Sequence, residues 1–243
     1  MHLTVKFKID QSKDLRTLRA FVRDAQYDGG RSLRWGIFRR HPLLKPLLVN
    51  PSRLPLARVQ KYINGVYAEQ RNGFKLATEK IKGEWKLKEK TFFRLTDELF
   101  NGARWPKGKY IAYFTIWTMF PRFLKDKTFQ VPFGHRKKGY VNVIIAHEML
   151  HFIFYKHFYR WHPEYRRPQY NYFVWHVSEI FNVLVQNSAS WVKIFKQRTR
   201  AYPEHARIIR KLRKELSRKR LTAEALTENI LREVKMEPRF RKF

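Results

Sequence analysis

Residues 141–158 read VNVIIAHEMLHFIFYKHF. Apolar residues occupy nearly every side of the helix that this stretch would form, which is typical of a buried helix. Three ionisable side chains lie inside it, at His147, Glu148 and His151. Residues four apart lie one turn apart on the same face of a helix, so the two imidazoles would point the same way. The stretch therefore predicts a buried helix that carries two histidines side by side.

The H-E-x-x-H spacing is typical of a metal site on a helix. Both imidazoles can bind one metal ion, and Glu148 can contact a water molecule on that ion. Zinc is the expected ion, one per chain, because it binds neutral imidazole and strongly lowers the pKa of its bound water. The alternative is that His147 and His151 are core histidines with hydrogen-bond partners beside a solvated glutamate.

A catalytic zinc usually has three protein ligands and a water molecule. The chain has no cysteine, and its last aspartate is Asp126, so the third ligand downstream must be a glutamate or a histidine. Glu179 is the preferred candidate, because a carboxylate in the apolar segment YFVWHVSEIFNVLVQN (172–187) needs a partner. His176, Glu179, Asn182 and Gln186 form one polar stripe on the helix predicted there. The alternative is a core glutamate paired with a lysine or an arginine.

The two segments together resemble the gluzincin metallopeptidases, which include thermolysin-like enzymes and the single-domain minigluzincins. The resemblance covers residues 147–151 and 178–182. It implies a zinc-dependent metallopeptidase in which the two histidines and Glu179 bind zinc and Glu148 is the general base. Gluzincins commonly have Asn-Glu with an aspartate shortly after, whereas here a serine precedes Glu179 and Asn182 follows. Asn182 is therefore the candidate for accepting a hydrogen bond from a ligand histidine.

Related enzymes also use a downstream tyrosine or histidine to stabilise the oxyanion. The resemblance implies such a donor among His176, Tyr202 and His205 and does not choose between them. His176 is otherwise interpreted as a core or ligand-orienting histidine. The strand predicted to end at residue 120 could bind an extended substrate by edge pairing, as the corresponding sheet does in similar peptidases.

His157 is the alternative third ligand. It follows His151 by six residues, a spacing that resembles the HExxHxxGxxH motif of metzincins and that of some peptidases linked to the cleavage of DNA-bound proteins. Phe154 stands where the metzincin glycine would be, so nothing ends the helix before His157. On a continuous helix, His157 would lie about 240° round from His151 and face away from the metal. His162 and Glu164 flank Pro163 and are weaker candidates.

The patterns predict an α+β protein that is mostly helical, with a small sheet beside the HExxH helix and the second metal-ligand helix. Residues 1–105 are predicted to be a scaffold or covering segment, 106–198 a zincin-like catalytic core and 199–243 a basic helical extension. Strands are predicted over 3–9, 109–120 and 128–133, and helices over 13–26, 55–86, 91–100, 141–158, 170–196, 203–219 and 222–235. Ser12 would cap the first helix, residues 31–54 would be an irregular connector, and His41 would lie at the surface.

The chain carries 52 basic and 20 acidic residues, a net charge of +32. A basic proteome, a salty habitat or a hot habitat would account for this charge. The sharper interpretation is an anionic partner, such as nucleic acid, a membrane surface or an acidic protein, bound through the C-terminal extension. No recognised nucleic-acid motif accompanies the charge. The first ten residues do not read as a signal peptide, and no uncharged apolar run reaches about 18 residues, so a soluble, cytoplasmic protein is predicted.

The function predicted from these features is hydrolysis of peptide bonds by a zinc enzyme. One alternative is a basic nucleic-acid-associated protein with a structural zinc site. Another is a latent peptidase whose cleft is occupied by residues 1–105 or by the basic extension.

Overall fold

The structure is a computed structural model that describes residues 3–22, 33–50, 52–216 and 222–240. Most of these residues lie in helices, and four short strands form one mixed sheet. The predicted class, α+β and mostly helical, is confirmed. No helix within the described ranges is long and apolar enough to cross a membrane.

The chain divides into two compact units, which are described separately below. The first comprises Met1–Trp85 and Gly108–Val141, and the second comprises Lys86–Lys107 and Asn142–Phe243. These bounds differ from those of the three predicted segments. The roles assigned to the three segments stay predictions.

The sheet of the first unit has the strand order β1-β2-β4-β3. Its strands are β1 (Val5–Ile9), β2 (Tyr110–Thr115), β3 (Arg122–Phe123) and β4 (Thr128–Pro132). Strand β2 pairs in parallel with both β1 and β4, while β3 pairs antiparallel with β4. Because β2 has a neighbour on each side, the prediction that this strand offers a free edge to a substrate is wrong. It also ends at Thr115 and not at residue 120.

The helices of the first unit surround this sheet in sequence order. They are α1 (Gln11–Phe21), α2 (Leu33–Arg40), a 3-10 helix (Pro42–Leu48), α3 (Leu56–Glu69) and the first part of α4 (Arg71–Leu99). Asp10 caps α1 by accepting a hydrogen bond from the Ser12 backbone N–H, so the prediction of Ser12 as the cap is wrong. The predicted end of α1 at residue 26 lies outside the described residues. The segment 31–54 is largely helical and not an irregular connector.

Helix α4 runs unbroken for 29 residues, where the sequence predicted helices over 55–86 and 91–100. The predicted break near Asn72-Gly73 falls at Gln70, between α3 and α4. Beyond it the helix continues through Gly83, because Ile81 and Trp85 are buried along one side. Such burial outweighs the cost of about 1 kcal/mol for a glycine inside a helix.

Asp14 is the buried polar centre of the first unit. Its Oδ1 accepts hydrogen bonds from Thr115 Oγ1 (2.6 Å) and Gln130 Nε2 (3.1 Å). Its Oδ2 accepts from Tyr67 O–H (2.7 Å) and the Ile116 N–H (3.3 Å). One carboxylate on α1 therefore joins α3, β2 and β4. Burial raises the pKa of Asp14 to about 6, although these four hydrogen bonds act to lower it.

The raised pKa of Asp14 makes the stability of the protein depend on pH. A carboxyl with a pKa of about 6 when folded and 3.8 in its ordinary state stabilises the fold most at low pH. This contribution decreases as the pH rises through about 6. The free energy of unfolding of wild type, relative to Asp14→Asn, should fall by about 3 kcal/mol between pH 4 and pH 7. Urea unfolding of both proteins across this range measures the difference, and a slope of opposite sign would contradict it.

His41 is buried in the first unit, with 8% of its surface exposed, so the prediction that it lies at the surface is wrong. Its Nε2–H donates to the Ile116 carbonyl (3.1 Å), since a carbonyl can only accept. Its Nδ1 then accepts from Tyr62 O–H (3.0 Å). Burial lowers the pKa of His41, in keeping with a neutral core histidine.

The second unit is helical throughout its described part. Its helices are the end of α4, then α5 (Tyr140–Trp161), α6 (Asn171–Gln186), α7 (Ala189–Phe195), α8 (Ala206–Leu216) and α9 (Ala223–Met236). The prediction of one helix over 170–196 is wrong, because the chain leaves the helix at Asn187 and starts α7 two residues later. Helix α6 is buried almost completely and packs against α7, α8 and α9.

Candidate metal centre

Helices α5 and α6 bring three ionisable side chains together in the second unit. His147 Nε2 lies 3.0 Å from Glu179 Oε2, and His151 Nε2 lies 3.3 Å from Glu179 Oε1. The potential ligand atoms of the three residues all lie within 4.8 Å of one another. In the described part of the chain, this is the one group of three or more such side chains that could hold a metal ion.

The local sequence explains why the two histidines adjoin. Helix α5 continues without a break through both positions, and the rings of His147 and His151 lie 4.8 Å apart at 78°. The polar stripe of α6 faces the same part of α5. Asn182 Nδ2 donates to the His147 carbonyl (3.0 Å), and Gln186 Nε2 donates to the Val143 carbonyl (2.9 Å). These two bonds fix α6 against α5 where Glu179 meets the histidines.

The residues present fit a divalent metal ion. Four ligand atoms bound tetrahedrally at about 2.0–2.2 Å lie about 3.3–3.5 Å from one another. The distances of 3.0 and 3.3 Å from His147 and His151 to Glu179 are close to this spacing. Glu148 and Glu179 are 6% and 3% exposed, so two carboxylates are buried here. Because buried charge is costly unless compensated, a divalent cation would stabilise this arrangement.

The charges of the three residues are strongly coupled. Burial would raise the pKa of Glu179, but His147 and His151 hold this pKa well below its ordinary value. Burial would lower the pKa of His147, but the charges of Glu179 and Glu148 keep it above its ordinary value. The carboxylate of Glu179 is therefore ionised and available to a cation. The effect on His147 also places the charge of Glu148 close to the group.

The ring of His147 is oriented by Gln186 and not by Asn182. His147 Nδ1 lies 2.9 Å from Gln186 Oε1, while Asn182 contacts only the His147 backbone. Asn182 therefore does not accept a hydrogen bond from a histidine ring, as the sequence had suggested it could. The sequence analysis missed this role of Gln186. The available signal was its position in the polar stripe, two helical turns beyond Glu179.

His157 lies outside the His147–His151–Glu179 group. Its Nε2–H donates to the Arg104 carbonyl (3.1 Å), and its ring packs between Phe100 and Trp161. Burial lowers the pKa of His157. Its position agrees with the rotation expected on a continuous helix α5. His162, a weaker candidate, has Nε2 3.0 Å from Glu228 Oε1.

The three candidate oxyanion donors lie in one aromatic cluster. His176 Nδ1 and His205 Nε2 are 2.7 Å apart, and Phe240 stacks on the His176 ring at 4.0 Å. The ring of Tyr202 packs on His205 at 5.5 Å. Burial lowers the pKa of His176 to about 3 and that of His205 to about 4, so both rings are neutral at neutral pH. The charge of Glu179 acts on both pKa values in the opposite direction.

The fold and site define a helical unit with a His-His-Glu group that could bind a metal ion. Comparisons of the chain with protein-family models, with curated proteins and with solved structures give no match.

Proposed function

We propose that this protein is a zinc-dependent metallopeptidase that hydrolyses peptide bonds. The observation that supports the proposal most strongly is the convergence of His147 Nε2 and His151 Nε2 on the Glu179 carboxylate. Glu148 lies buried beside this group and is the remaining acid–base residue of the motif. Two imidazoles and one carboxylate, with a fourth position left for water, are a ligand set of catalytic zinc.

His147, His151 and Glu179 would hold one zinc ion per chain. When bound, zinc supplies Lewis acidity and lowers the pKa of its water ligand. Glu148 accepts the proton of the attacking water as general base and then donates it to the leaving amine. The buried surroundings of Glu148 favour this role, because a carboxylate shielded from water accepts a proton more readily.

A donor for the oxyanion is proposed among His176, His205 and Tyr202. Neutral His176 and His205 can each donate through only one ring nitrogen. One of them already donates to the other, across the 2.7 Å contact between Nδ1 and Nε2. The donor to a substrate would therefore be the other member of the pair, or Tyr202 at the edge of the cluster.

Removal of the metal should abolish peptide hydrolysis reversibly. We expect purified full-length protein to cleave a mixed library of internally quenched peptides. Cleavage should fall to background after treatment with 1,10-phenanthroline and dialysis, and return on addition of one equivalent of Zn²⁺. Elemental analysis of each sample checks that the metal was removed. Unchanged cleavage by metal-free protein, or no cleavage of any library member by zinc-loaded protein, would contradict the proposal.

A second candidate is a nucleic-acid-associated protein with a structural zinc site, favoured by the net charge of +32. Helix α8 adds a specific observation, because its buried side is apolar and its exposed side is basic. The exposed residues are Arg207, Arg210, Lys211, Arg213 and Lys214. Strongly salt-dependent binding of DNA or RNA without hydrolysis would favour this candidate over the peptidase.

A further inference from the structure

We infer that Gln186 and Thr199 are positioning residues of the candidate metal centre, which together fix the ring nitrogen that His147 presents to Glu179. This inference rests on the proposed function, since it concerns the same site. It goes further by assigning a task to two side chains outside the HExxH motif and the glutamate.

Gln186 is the centre of a small hydrogen-bond network. Its side chain is buried, with 2% of the residue exposed. Gln186 Nε2 donates to the Val143 carbonyl on α5 (2.9 Å). Gln186 Oε1 lies 2.9 Å from His147 Nδ1 and accepts a second hydrogen bond from Thr199 Oγ1 (2.9 Å). The amide thus contacts the backbone of α5, the histidine ring and the chain beyond α7.

The Val143 carbonyl determines which way the Gln186 amide points. A carbonyl can only accept, so the NH₂ group of Gln186 must face it. The reverse orientation would place two oxygens 2.9 Å apart. Gln186 Oε1 therefore faces His147, and an amide oxygen can only accept. His147 Nδ1 must then carry the proton, which leaves the Nε2 lone pair directed at Glu179 and free to bind a metal ion.

Thr199 is held in place by the residue that follows Gln186. Asn187 Nδ2 donates to the Thr199 carbonyl (2.9 Å), and the Thr199 N–H donates to Asn187 Oδ1 (2.9 Å). This pair of bonds fastens the backbone of Thr199 to the end of α6 across the intervening helix α7. The Thr199 hydroxyl consequently meets Gln186 Oε1 in one defined direction. The polar residues at the end of α6 therefore act as one unit on His147.

The acceptor for His147 is a neutral amide, whereas a carboxylate would make the imidazole more basic. We therefore expect Gln186 to orient the ring without tightening the metal as much as a carboxylate would. Gln186→Leu removes the acceptor and should weaken zinc binding about 10- to 100-fold. Gln186→Glu keeps an acceptor at the same place and should bind zinc at least as tightly as wild type. Thr199→Val should give a smaller loss than Gln186→Leu.

Two measurements test the inference. Long-range ¹H–¹⁵N NMR of metal-free protein, at a pH above the pKa of His147, reports which ring nitrogen carries the proton. Competition with a chromophoric chelator gives the zinc affinity of wild type and of the Gln186 and Thr199 variants. Thr227→Val is the matched control, because Thr227 is buried in the same unit but its hydroxyl donates to its own helix at the Ala223 carbonyl (2.7 Å).

The expected result is a proton on Nδ1 of His147 in wild type, weaker zinc binding in Gln186→Leu, rescue by Gln186→Glu and no change in Thr227→Val. Circular dichroism checks that each variant folds, and Thr199→Val decides the test if Gln186→Leu does not. A proton on Nε2 in wild type, or wild-type zinc affinity in folded Gln186→Leu, would overturn the inference. If wild type binds no zinc, the proposed function fails, and the tautomer of His147 alone decides this inference.

Discussion

Glu148→Gln should abolish peptide hydrolysis while the protein still binds one zinc ion. Glutamine has nearly the shape of glutamate but has no carboxylate to accept the proton of the attacking water. Loss of a general base typically lowers the rate about 10²- to 10⁴-fold. The proposed ligands His147, His151 and Glu179 are unchanged in this variant, so the zinc content should equal that of wild type.

Initial rates on one quenched peptide and the zinc content of the same samples check this prediction. Glu224→Gln is the matched control, because Glu224 is an exposed glutamate on α9, and it should leave both quantities unchanged. Peptidase activity close to wild type in zinc-loaded Glu148→Gln would contradict the mechanism. Loss of zinc together with activity would instead show that Glu148 supports the binding site.

Glu179→Ala should lower the affinity for zinc by more than about 100-fold. Its carboxylate supplies the oxygen atoms that lie 3.0 and 3.3 Å from the two histidine nitrogens. Loss of a residue that merely supports a ligand costs about 10- to 100-fold, so loss of the ligand itself should cost more. The variant also removes the charge that opposes the effect of burial on the pKa of His147.

Competition with a chromophoric chelator measures this affinity, and His157→Ala is the informative control. His157 donates to the Arg104 carbonyl and lies outside the group, so its removal should leave zinc binding intact. The opposite pattern, with zinc retained in Glu179→Ala and lost in His157→Ala, would favour the alternative ligand set that includes His157.

The candidate site could largely be predicted from the sequence because its signals are local. His147 and His151 need only a helix to face the same way, and the apolar residues around them make that helix buried. Glu179 stands out as a carboxylate in an otherwise apolar helix. Packing of α5 against α6 then brings the three side chains together, as two buried helices with single polar stripes are expected to pack.

The support around the site could not be predicted, because it depends on how α6 is rotated and shifted along α5. Asn182 and Gln186 lie on the same stripe, and about one helical turn decides which of them reaches the His147 ring. Thr199 is separated from Gln186 by α7 and comes near it only through the two bonds to Asn187. The sequence pattern of one helix carries no information on such contacts.

The first unit shows the same limit. Strand β2 could be recognised from its aromatic and β-branched residues, but its central place in the sheet depends on which strands pair with it. His41 looked exposed beside a proline, yet its hydrogen bonds to Tyr62 and Ile116 hold it in the interior. Asp14 lies one turn into α1 among polar neighbours, and its four distant donors appear only after folding.

Zinc K-edge X-ray absorption of the reconstituted wild-type protein tests the central claim most directly. The account predicts one zinc ion per chain with four nitrogen or oxygen ligands at about 2.0–2.2 Å, of which two are imidazoles and one is a carboxylate. Failure to retain zinc after reconstitution would contradict the account, and so would a third imidazole among the zinc ligands.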